Sequence, residues 1–310
     1  MTQSTGIHHI TAIASDPARN LDFYTRVLGL RLTKKTVNFD DPETYHFYFS
    51  DAKGNPGTVL TFFPHPNGEK GRHGAGKAVE ITFAIPENSF SFWINRLHEL
   101  NIDYTGPETR FGQKVVTFSD PDGIQLELVA DNGIKTDAPW GTTDVPAEHA
   151  IQGFHSVTLW EREPEATAAI LTDHFGFKLV DQTDTRLRYS TGKTGVGQIV
   201  DIRVLRDMWR GALGTGVIHH VAYRATDDAH EQKLQSDLRA KGLNVTDIVD
   251  RFYFHSVYFR EPSGILFEIA TDKPGFEIDE TFDKLGSSLQ LPAMHEPHRK
   301  EIEAALPALS

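Results

Sequence analysis

One structural unit is written four times along this chain, and that recurrence limits its fold more than any bulk property does. The first copy opens at "GIHHITAIA", where alternation over residues 9–14 predicts a strand. "SDPARNLDFYTRVLGL" follows as a helix. Ser15 or Asp16 can cap it, Pro17 suits its first position, Leu21, Tyr24 and Leu28 share a face, and Gly29 ends it. Strand-like runs at 31–39, 45–50 and 58–63 complete the order β-α-β-β-β.

The order recurs from "KAVEITFAIPENSFSFWINRLHEL" to "VVTFSDPDGIQLELVAD", from "GFHSVTLW" to "GQIVDIRVL", and from Val217 to "SVYFREPSGILFEIATD". The second and fourth copies close on nearly the same hairpin. Its Asp-Pro-Asp-Gly and Glu-Pro-Ser-Gly centres are tight-turn sequences. The expected fold is therefore α+β, four β-α-β-β-β modules in two domains. Residues 6–131 form the N-terminal pair, 132–152 a Gly-, Pro- and Asp-rich linker, 153–274 the C-terminal pair, and 275–310 a tail with helical character near "HRKEIEAALPAL".

Cysteine is absent, which removes disulfides, thiolate nucleophiles and sulfur-ligated metals and leaves nitrogen and oxygen donors for any ion. A formal net charge of −12 argues against nucleic acid and acidic membranes as partners. No run approaches the roughly 20 apolar residues of a membrane span. The polar, uncharged start "MTQSTG" does not read as a targeting segment, so a cytoplasmic location is the expectation.

The repeat frame picks out the chemistry. Aligning the copies puts His9, Glu80, Ser156 and His220 at one position of the first strand, and Glu127 and Glu268 at one position of the last. A single strand histidine is ordinarily a packed or hydrogen-bonded residue. Two His pairs at equivalent positions, with Glu268 set in the apolar "GILFEIA", point to a metal shared by His9, His220 and Glu268. Two neutral imidazoles and one carboxylate leave a divalent site at net +1 with open positions, suited to an anionic oxygen ligand. Glu80 and Glu127 read as a vestigial, structural half-site. His155, aligned with His8 and His219, reads as a packing or supporting residue. His46, His65 and the remaining histidines read as structural or solvated. Strand alternation turns His8 and His219 away from the cavity unless a twist or bulge intervenes. Thr11 lies two residues from His9, on its face.

The stretches "GIHHIT", "YHFYFSDAKGNPGTVLTFFP", "TRFGQKVVTF", "EHAIQGFHSVT", "GVIHHVAY" and "GILFEIATD" together resemble the vicinal-oxygen-chelate superfamily. Within it the chain is most similar to the dioxygenases that open para-hydroquinones, over roughly residues 6 to 280. The resemblance implies Fe(II), or another divalent ion such as Mn(II), on His9, His220 and Glu268. It implies supporting roles for His8, Thr11, His219, Arg251 and Tyr258, with Tyr258 or a histidine exchanging a proton and Arg251 steadying anionic oxygen. The implied partners are a small aromatic substrate and O₂; whether copies of the chain associate is left open. Arg251 and Tyr258 can share the pocket only if "DRFYF" turns between them.

Two other functions compete. A glyoxalase-type lyase or isomerase would move a proton without oxygen, but such a site calls for a further carboxylate where Thr61 falls. A binding protein would hold a small aromatic without turnover.

Overall fold

The computed structural model describes Ser4 and residues 6–309. Each module is a β-α-β-β-β unit. The first comprises β1 (Ile7–Ala14), α1 (Pro17–Asp22), β2 (Arg31–Asn38), β3 (Asp41–Ser50) and β4 (Val59–Pro64). The second is β5 (Lys77–Ile85), α2 (Phe90–Glu99), β6 (Tyr104–Arg110), β7 (Gln113–Ser119) and β8 (Gln125–Ala130). The third is β9 (Gly153–Glu161), α3 (Glu165–Asp173), β10 (Lys178–Gln182), β11 (Arg186–Ser190) and β12 (Ile199–Val204). The fourth is β13 (Val217–Ala225), α4 (Asp228–Ala240), β14 (Val249–Asp250), β15 (Phe254–Arg260) and β16 (Leu266–Pro274). Local chemistry sets the first helix: Asp16 caps it by accepting from the Arg19 N–H, and Pro17 follows. A π-turn over Phe23–Val27 continues it, and Gly29 leaves it at φ 68°.

The strands form two eight-stranded sheets. The first has the order β14-β15-β16-β13-β1-β4-β3-β2, and the second β10-β11-β12-β9-β5-β8-β7-β6. The outer modules of the sequence thus share one sheet and the inner modules the other. Each sheet is sewn at its centre by an antiparallel pair of first strands, β1 with β13 and β5 with β9.

Helices cover one face of each sheet and a continuous apolar core lies beneath them, drawing on all four modules through residues such as Tyr24, Trp93, Leu171 and Leu234. The other face of each sheet curves round a cavity. The tail, which ends in helix α5 (Arg299–Ala305), packs against the first sheet. Lys34 on β2 is fully buried and meets Asp279 at 2.6 Å and Glu280 at 2.5 Å. Tyr253 donates to Asp279 from the far side, so the tail ties the two ends of that sheet together. No helix among the described residues is long and apolar enough to cross a membrane.

Candidate metal centre and its cavity

His9 on β1, His220 on β13 and Glu268 on β16 converge at the floor of a cavity of about 360 Å³ in the first sheet. Their Nε2 atoms are 3.3 Å apart, and both face one Glu268 oxygen, His220 at 2.8 Å and His9 at 3.4 Å. Donors bound about 2.1 Å from one ion and at right angles to each other sit roughly 3 Å apart, so this triangle has the dimensions of a facial ligand set. Glu268 is fully buried, and neither of its oxygens has a hydrogen-bond partner of good geometry. Burial alone would raise its pKa, but His9 and His220 beside it hold it well below the usual carboxylate range. A buried anion under two inward imidazole nitrogens is costly without a cation, and a divalent ion fits this donor set.

Two β-bulges explain how adjacent histidines serve one site. Ile7 pairs with Tyr223 but His9 with Ala222, which leaves His8 as the extra residue of β1. Thr11 pairs with His220 but Ala12 with Ile218, which leaves His219 as the extra residue of β13. The bulges swing both neighbours back beside the ligands. His8 Nδ1 lies 2.9 Å from His9 Nδ1, and His219 Nδ1 lies 2.8 Å from His220 Nδ1. A metal on Nε2 would keep the proton of His9 and of His220 on Nδ1, where it would be donated to the neighbouring imidazole and fix the ring. Burial lowers the pKa of both His8 and His219 to about 3, so each stays neutral and can accept that bond. His219 lines the cavity, whereas His8 is fully behind it, packed edge-on to Phe254.

Arg251 and Tyr258 both line the cavity, and the turn between them is made with Phe252 at φ 66°. Arg251 Nε donates to the Tyr258 hydroxyl at 3.2 Å and Ser256 donates to it at 3.0 Å, while Arg251 also pairs with Asp40 across the rim. With two donors on its oxygen, Tyr258 has its own O–H free for the cavity. Burial and the Glu268 charge push its pKa up, so it remains a proton donor.

Thr11 lines the cavity as well and opens a chain that sequence reasoning missed. Its hydroxyl meets Thr61 at 2.8 Å, Thr61 meets His46 Nε2 at 2.9 Å, and His46 Nδ1 meets the Tyr48 hydroxyl at 2.9 Å. His46 and His65, read above as structural or solvated, line the cavity. Burial, more than its neighbours His9 and His220, drives the His46 pKa well below its usual value. Thr61 stands where Glu268 stands in the fourth module, as the repeat frame had it; the overlooked signal was that Tyr48 pairs with Thr61 across β3 and β4.

The corresponding positions of the second sheet hold no imidazole donors. Glu80 meets Arg186 at 2.8 Å and accepts from Trp160, and Glu127 is gripped by both terminal nitrogens of Arg110 at 2.8 and 2.9 Å. Asp201, which the alignment overlooked, takes the last-strand position of the third module and is held by Arg188 at 2.9 Å.

The family model described as Glyoxalase/Bleomycin resistance protein/Dioxygenase superfamily matches residues 6–128 and 153–269. MhqO of Bacillus subtilis (strain 168), provisionally named a ring-cleaving dioxygenase, is 43% identical over 98% of this chain and 96% of its own length. A chlorohydroquinone/hydroquinone 1,2-dioxygenase of Sphingobium indicum is 33% identical over 96% of this chain and 94% of its own. A crystal structure of a Bacillus subtilis protein, also provisionally termed a dioxygenase, superposes with a TM-score of 0.95 at 42% identity, covering 100% of this chain and 99% of that one. Glyoxalase I of Zea mays shares the fold, with a TM-score of 0.64 at 15% identity over 86% of this chain and 92% of that one. The chain belongs to the glyoxalase/bleomycin resistance protein/dioxygenase superfamily and groups with its ring-cleaving dioxygenases.

Proposed function

We propose that this protein is a non-haem Fe(II) dioxygenase that opens the ring of a para-hydroquinone, with His9, His220 and Glu268 as the metal ligands. The observation that carries the reading is the facial triangle of donors around a buried carboxylate that lacks a hydrogen-bond donor, at the floor of a cavity sized for one aromatic ring. Iron bound there would supply a Lewis acid and an electron path between ring and oxygen.

The chain's own residues do the rest. Phe39, Phe63, Phe254 and Leu213 give the cavity apolar walls for a flat ring. Tyr258 offers its free O–H to oxygen that becomes anionic, and Arg251 holds that hydroxyl in place while adding positive charge at the rim. On the opposite wall, Tyr48 donating to His46 Nδ1 leaves His46 Nε2–H for Thr61 and the Thr61 proton for Thr11. The Thr11 hydroxyl hydrogen then has no partner within that chain and is available to a substrate oxygen.

The test is oxygen uptake by anaerobically Fe(II)-loaded protein against a panel of hydroquinones and catechols. One O₂ should be consumed per ring opened, and zinc-loaded protein should be inert. The rival lyase would need a further carboxylate where Thr61 stands; isomerisation of a glutathione thiohemiacetal by the zinc form, without oxygen, would overturn the dioxygenase reading.

A further inference from the structure

A second group of donors lies on the opposite face of the first sheet. His255 follows the cavity-lining Phe254 and turns to the other side of β15, where it meets helix α4. Its Nδ1 lies 2.8 Å from Asp228, and donor atoms of Asp228, Glu231 and His255 all fall within 4.8 Å of one another. Asp228 and Glu231 are three apart on α4, so the helix presents both carboxylates on one side.

Glu231 distinguishes this group from an ordinary cluster of surface charges. It is fully buried, and neither of its carboxylate oxygens has a hydrogen-bond partner. A carboxylate in that position must either take up a proton or find a cation. Asp228 and His255 supply further donors at the mouth, and both reach solvent, with side chains 62% and 35% exposed. An ion can therefore enter from outside and settle on a buried oxygen.

We propose that Asp228, Glu231 and His255 form a second divalent-cation site, of the zinc or manganese class, that fastens α4 to β15. One imidazole and two carboxylates suit such borderline ions, with water completing the coordination. The site differs in composition from the cavity's two imidazoles and one carboxylate, faces the other way, and stands independently of the proposed reaction.

Elemental analysis after equilibration with Zn²⁺ and gel filtration tests it. Wild-type protein should retain two ions per chain, Glu231→Gln one, Glu268→Ala one, and the double variant none. His255→Asn, at a partly exposed position that leaves the core intact, should give the same count as Glu231→Gln. Zn²⁺ should also raise the Tm of Glu268→Ala but not of Glu268→Ala/His255→Asn. Equal zinc in wild type, Glu231→Gln and His255→Asn, at whatever number, would overturn the proposal, as would a zinc-dependent Tm shift that persists in Glu268→Ala/His255→Asn.

Discussion

Where the first sheet brings together His9, Thr61, His220 and Glu268, the second carries Glu80, Glu127, Ser156 and Asp201 at the matching register positions. Even the bulges recur, with Val79 and His155 as the extra residues in place of His8 and His219. The difference lies in the counter-charge. Three buried carboxylates in the second sheet are neutralised by guanidinium groups from strands of the same sheet, Arg110, Arg186 and Arg188. One carboxylate in the first has only two imidazoles, which are neutral unless protonated. A guanidinium is tethered and fills its site; an exchangeable ion leaves faces open to a ligand. The same scaffold therefore yields structure in one sheet and the means for chemistry in the other.

The sharpest contrast is between equivalent carboxylates. Glu268→Ala should empty the metal site and reduce turnover by roughly a thousandfold or more, since both the ion and its charge balance are lost. Glu127→Ala should leave cavity metal and turnover unchanged. Metal analysis beside oxygen uptake decides the pair, and loss of turnover in both variants would erase the distinction.

Next in size is the guanidinium itself. Arg186→Met takes from the buried Glu80 its nearest guanidinium, while Asp201 keeps Arg188, and should cost about 3–5 kcal/mol in urea denaturation. Adding Glu80→Gln should recover part of that loss. If the double variant is no more stable than the single one, the buried charge is not the cause.

Tyr258→Phe should lower kcat about a hundredfold while metal content holds, the size expected for a lost proton-transfer group. Retained kcat would assign Tyr258 to packing alone. His8→Phe removes the acceptor behind His9 and should weaken metal affinity about 10- to 100-fold, measured by competition with a chelator. Its counterpart substitution Val79→Ala should leave that affinity untouched.

The smallest effect, nil at pH 7, concerns His155. Burial, with Arg188 and Arg110 adding to it, depresses its pKa to about 3. The unfolded chain binds a proton there near pH 6.5 and the folded chain does not, so stability falls as pH drops from about 6.5 toward 3. In His155→Gln that part of the acid sensitivity should vanish, read as a urea midpoint that falls less steeply with pH than in wild type.

Much of this was legible in the sequence. Periodicity and turn chemistry marked all four modules, and the repeat frame alone brought His9, His220 and Glu268 together across more than two hundred residues. The bulges were foreseeable only as the exception that His8 and His219 would need, because alternation describes regular strands and a bulge is a departure from it. The link from Thr61 through His46 to Tyr48 stayed hidden because it is a hydrogen-bond chain set by strand register, which no motif in the sequence announces. Asp201 escaped because "GQIVDIRVL" shares little with the other closing strands, and its arginine partners follow no motif.

The three donors grouped in the cavity come from β1, β13 and β16, so the set is assembled in the order of synthesis. A growing chain that has made His9 must still add more than 250 residues before Glu268 exists. At typical elongation rates that interval is roughly ten to fifty seconds. Before His220 is made the second sheet's strands can be completed with their own arginines, while only one imidazole of the cavity's donor set exists. Loading of an ion on these three donors would thus be timed to the last strand of the last module, and a chain released short of β16 would lack the carboxylate Glu268.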